Sequence, residues 1–60
     1  MDRRALEMWC LGLLRSGGPA MNDYARAIRC CEEQAAIDPD PSWYLSAMTY
    51  LRAAQSINDR

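Results

Sequence analysis

Apolar residues recur at three- and four-residue intervals in three stretches of this 60-residue chain, and two clusters of helix-breaking residues separate them. The breaks are Ser16-Gly17-Gly18-Pro19 and Asp38-Pro39-Asp40-Pro41-Ser42. The first stretch predicts a helix from about Asp2, an N-cap residue, to Arg15 or Ser16. At 100° per residue, Ala5, Leu6, Trp9, Cys10 and Leu13 share one face of it. The second helix is expected to begin near Pro19, as a proline in the first turn, or at Asn22, and to stop at Ile37 before Asp38-Pro39. Its apolar face reads Met21, Tyr24, Ala27, Ile28, Cys31 and Ala35, with Arg26, Arg29 and Glu33 opposite, the last two as an i,i+4 ion pair. The third helix starts after Asp40-Pro41 or at Ser42 and runs to about Ile57, with Trp43, Tyr44, Ala47, Tyr50, Leu51, Ala54 and Ile57 facing inward and Leu45 outward. Short connections make these helices antiparallel neighbours. The expected fold is therefore all-α, three short antiparallel helices forming a helical-hairpin repeat-like stack or small bundle, in one domain over residues 1–60.

Three residues of the first helix do not fit its inner face. Met8, Leu11 and Leu14 spread round the rest of its circumference, broken only by Arg4, Glu7 and Arg15. A helix apolar nearly all round is normally covered on more than one side, and two other helices of this size cover only one. A further polypeptide is therefore expected against Met8, Leu11 and Leu14, either a protein partner or a second copy of the chain. Size points the same way, because a chain this short buries only about 60% of its unfolded surface and needs close packing, self-association or a partner for its stability margin.

Composition sharpens the helical reading and narrows the chemistry. Nine alanines, six leucines and four methionines stand against no valine, no phenylalanine and a single threonine, a strong bias towards helix. No apolar run approaches the ~18–20 residues of a membrane span; the stretch from Leu6 to Leu14 is short and interrupted by Glu7. Arg3 and Arg4 precede it as they would in a secretory leader, but no clean small-residue cleavage site follows, so the chain is read as mature and cytoplasmic. Net charge is −1, and the seven basic residues, all arginine, are scattered. That distribution lacks the concentrated basic face nucleic-acid binding needs.

No catalytic constellation emerges. The chain has no histidine, the commonest general base and metal ligand. Cys10, Cys30 and Cys31 lack the two-residue spacing of zinc sites, and an odd cysteine count fits a reducing compartment better than a secreted disulfide scaffold. Cys31 falls on the core face, which leaves Cys30 as the more exposed thiol. Glu32, Glu33, Asp38 and Asp40 read as ordinary acids of a solvated helix end. The Gly17-Gly18-Pro19 turn lacks the lysine and preceding strand of a phosphate loop. No cofactor, metal or small-molecule substrate is expected, and no enzymatic activity.

Trp9 and Trp43 stand 34 residues apart, the period of the tetratricopeptide repeat. The interior of the chain resembles that family, mainly over residues 24–51. Tyr24, Ala27, Cys31 and Pro39 match the aromatic, small, large and terminating positions of its second helix, and Trp43, Ser46-Ala47 and Tyr50 match the next first helix. The earlier copy is poorer, with Leu13 at the small-residue site, and Gln34 stands where an alanine is usual. The resemblance implies that the first helix of each repeat lines a protein-binding groove. By position, that groove would use Cys10 and Leu14 from one helix and Tyr44, Met48 and Leu51 from the other, with Arg52 at the rim. With Met8 and Leu11, these complete the candidate protein-binding set. The Lys and Asn clamp that some members use for a terminal carboxylate has no counterpart.

The expected function is thus a small non-enzymatic protein-binding module, adaptor or chaperone-like, that docks a protein segment on apolar helix faces. Two alternatives are a phage or mobile-element inhibitor (anti-CRISPR-like) that occludes a target complex, and a helix-turn-helix DNA-binding regulator. The last would read DNA through the third helix, whose only arginine before the terminal Arg60 is Arg52.

Overall fold

The helix-breaking cluster from Asp38 to Ser42 acts where the sequence places it. The computed structural model describes residues 2–16 and 21–58, and these form three α-helices: α1 (Arg3–Ser16), α2 (Met21–Ile37) and α3 (Ser42–Asn58). Asp2 caps α1, its Oδ1 accepting the Ala5 amide at 2.8 Å and its carbonyl accepting the Leu6 amide at 3.1 Å. The Asp38 amide makes the last bond of α2, to the Gln34 carbonyl at 3.0 Å, before Pro39 ends the run. The expectation that Pro19 opens the second helix falls outside the described residues.

The turn between α2 and α3 is built from side-chain acceptors. Asp38 Oδ1 accepts the Asp40 amide at 2.9 Å, and Asp40 Oδ1 accepts the Ser42 hydroxyl at 2.8 Å. These Ser42 hydrogen bonds hold the Asp40 carboxyl below its usual range. The buried Tyr44 donates its hydroxyl to Asp38 Oδ2 at 3.3 Å and so ties the start of α3 back to the turn. Burial first, and the Asp38 carboxylate second, push the Tyr44 phenol pKa up.

The core takes one stripe from each helix: Leu6, Cys10 and Leu13; Tyr24, Ala27, Ile28 and Cys31; Tyr44, Ala47, Met48 and Leu51. Each follows the three- and four-residue spacing of a single helical face. The α2–α3 interface is the most extensive of the three. Ala27, fully buried, and Ala47 put small side chains into the core from α2 and α3. Among the described residues no helix is long and apolar enough to cross a membrane.

Some assignments shift. Ala5, Tyr50 and Ile57, expected inward, are exposed, the last two at 66% and 67%. The stripe of positions 43, 50 and 57 lies one residue, about 100°, from the 44–51 stripe that meets α2. Among the described residues no fourth helix covers it, Trp43 and Ala54 are only half-buried, and Met48 takes the core position instead. Arg29 and Glu33 do not form the expected pair. The ion pairs among the described residues are Arg3–Glu7 within α1, at 3.1 Å, and Arg52–Glu32, which bridges α3 to α2 at 3.2 Å.

Candidate functional site

Where α1 and α3 run past each other, they leave a groove of about 180 Å³. Cys10, Leu11 and Leu14 line it from α1; Trp43, Ser46, Ala47 and Tyr50 line it from α3. The cause lies in the register described above. Leu13 points into the core, and its neighbour Leu14 is turned towards the side of α1 that no helix fills. On the opposite wall, the 43–50 stripe of α3 stands off the core axis. Leu11, Leu14 and Tyr50 remain 50%, 38% and 66% exposed at the rim.

Charge is nearly absent from the walls. The lining residues carry a Ser46 hydroxyl, a Tyr50 phenol and a Cys10 thiol, and α3 has no acidic residue along its length. At one end the Arg3 guanidinium lies 5.7 Å from the Trp43 ring centroid while its Nε donates to Glu7 Oε1. This contact brings the start of α1 to the start of α3. On the other flank of α1, Trp9 takes a similar cation contact from Arg26 of α2, at 5.9 Å.

Cys10 forms part of the floor. It is a free thiol, as are Cys30 and Cys31, and Cys10 and Cys31 are neighbours in the core across the α1–α2 contact. Burial pushes both thiols up, Cys31 to about 12, with the neighbouring Cys10 adding to the shift. Both are therefore neutral at physiological pH and behave as small apolar fillers. Cys30 is half-buried. Among the described residues no group of three or more cysteine and carboxylate side chains is placed to hold a metal ion, and no buried side-chain nitrogen or oxygen lacks a partner.

Of the residues singled out from sequence, Cys10, Leu11 and Leu14 meet at the groove. Tyr44, Met48 and Leu51 do not; they are core residues beneath its α3 wall, with Leu51 fully buried. Their placement as groove lining is corrected, because the family-like register set α3 about one residue out of phase with its actual contacts. Arg52 is exposed but turns towards α2, where Glu32 engages it, and so forms no rim of this groove. Met8, 70% exposed, sits on the outer surface of α1. Trp43, Ser46, Ala47 and Tyr50 were not among the candidates, although the regular 43–50–57 apolar spacing carried the signal.

Comparison with protein-family models, with curated proteins and with solved structures finds no match to this chain.

Proposed function

We propose that this chain is a non-enzymatic protein-binding module, adaptor or chaperone-like, and that it captures an apolar side chain of a partner protein between α1 and α3. The observation that carries this reading is the groove itself, with its uncharged lining and its half-exposed rim of Leu11, Leu14 and Tyr50. Its volume, about 180 Å³, is below the ~300–1,000 Å³ typical of small-molecule sites. It suits one large side chain. Capping that rim removes apolar surface from water at ~25 cal/mol per Å², the usual driving force of protein association.

Tetratricopeptide-like stacking belongs to the same proposal. It is supported by the burial of Tyr24, Ala27 and Ala47, which stand at the aromatic and small positions of that repeat. A cytoplasmic setting is also part of it, supported by three free thiols of which two lie against each other in the core.

The test is affinity capture from host extract with the parent chain and with Leu14→Asp, alongside far-ultraviolet circular dichroism. Leu14→Asp is expected to abolish capture with helicity retained, since Leu14 is partly exposed. An equivalent charge at Ile37, 75% exposed at the end of α2, should leave capture intact. Retained capture by both Leu14→Asp and Tyr50→Asp would remove the groove from consideration. Met48→Asp is not a clean probe, because it strikes the core.

A further inference from the structure

Beside the groove, the outer surface of α1 carries a stripe that the intramolecular packing does not use. Arg4, Met8, Leu11 and Arg15 follow the i, i+4, i+7, i+11 spacing of one helical face. All four are exposed. Two apolar side chains thus stand between two guanidiniums about 16 Å apart along the axis, at 1.5 Å per residue. Among the described residues neither Arg4 nor Arg15 has an ion-pair partner, because the only acid of α1, Glu7, is engaged by Arg3. Charge is also divided across the molecule: α1 holds three arginines and one glutamate, whereas residues 22–40 hold five acids and two arginines.

Resting on the protein-binding reading above, we infer that α1 docks an amphipathic helix of a partner protein whose apolar face is bracketed by two acidic side chains at the spacing of Arg4 and Arg15. The partner's apolar residues cover Met8 and Leu11, one of them entering the groove that Leu11 borders, and its carboxylates meet the two guanidiniums. A second copy docked through its own α1 does not suit the stripe. An antiparallel α1 pair centred between Met8 and Leu11 sets Arg4 against Arg15, and a parallel pair sets each arginine against itself, so both arrangements put like charges together. A nucleic-acid backbone would answer the arginines but leave Met8 and Leu11 against a charged surface.

The experiment uses the full chain and three fluorescein-labelled helical peptides, read by fluorescence anisotropy. Each peptide carries leucines spaced as Met8 and Leu11 and, spaced as Arg4 and Arg15, a flanking pair of Glu, Gln or Lys. The Glu peptide is expected to bind about tenfold more tightly than the Lys peptide at low salt, with Gln between them and the differences shrinking as salt is added. Arg4→Glu with Arg15→Glu should reverse the order. Equal affinities, or an order the double variant leaves unchanged, overturn the acidic-partner inference; loss of Gln-peptide binding in Leu14→Asp still supports the docking groove. If no peptide binds, the inference is overturned by that result, and the groove is judged separately by the capture experiment. Sedimentation equilibrium giving a dimer that either single charge reversal strengthens also overturns the inference, in favour of a second copy.

Discussion

The α2–α3 hairpin and the attachment of α1 are built on different principles. Between α2 and α3, alanines at positions 27 and 47 put small side chains into the core, and the hydrogen-bonded turn from Asp38 to Ser42 fixes their entry angle. A cross-helix ion pair, Arg52–Glu32, lies on the outside. α1 joins this hairpin by a narrower contact, through Leu6, Cys10 and Leu13. Its contacts with α2 and with α3 are each less extensive than the α2–α3 interface, and a groove opens between α1 and α3. A closely packed hairpin and a more open seam thus stand side by side in one chain.

The strongest way to break the contrast is at Leu51, fully buried in the hairpin. Leu51→Ala should cost about 2–5 kcal/mol in a urea titration, enough to leave a chain this small largely unfolded at 25 °C. Ala27→Leu is expected to cost about 1–3 kcal/mol by overpacking. A neutral result there would show that α2 and α3 do not depend on small residues for their approach.

Alkaline titration probes the other contact. Cys31 titrates near 12 in the folded chain against 9.0 for the free thiol. Its folded pKa is raised, so its stabilising contribution is full below about pH 9 and is lost progressively as pH rises towards 12. Circular dichroism across that window should show a falling melting temperature, and Cys31→Ala should flatten the dependence. The smallest effect is a gain. Gly12 faces open space, with no atom within 4 Å of an added Cβ, so Gly12→Ala should stabilise α1 by about 0.5–1 kcal/mol without touching the seam.

Much of the architecture is legible in the sequence. Asp2, the Asp38–Ser42 cluster and the three- and four-residue spacing of apolar side chains delimit the helices to within a residue or two, because caps and breakers act locally. The stripe of α2 was legible too, since charged residues mark its outer face. α3 was harder. It is apolar or neutral nearly all round, and hydrophobicity alone did not tell whether Tyr50 or Met48 turned inward. Contact with α2 decided that, and periodicity does not encode which neighbour a stripe will meet. The groove followed the same rule: Leu11 and Leu14 stood out as surplus apolar residues, whereas their α3 wall depends on where two helices diverge. Arg52 reaching Glu32, and Arg3 lying over Trp43, are products of tertiary packing that no local spacing announces.

The two tryptophans sit on opposite flanks of α1, Trp43 bordering the seam and Trp9 leaning towards Arg26. Indole emission responds to the water around the ring, so filling the seam is expected to shift the contribution of Trp43. The molecule thus contains its own optical gauge, and a titration can be followed without attaching any dye.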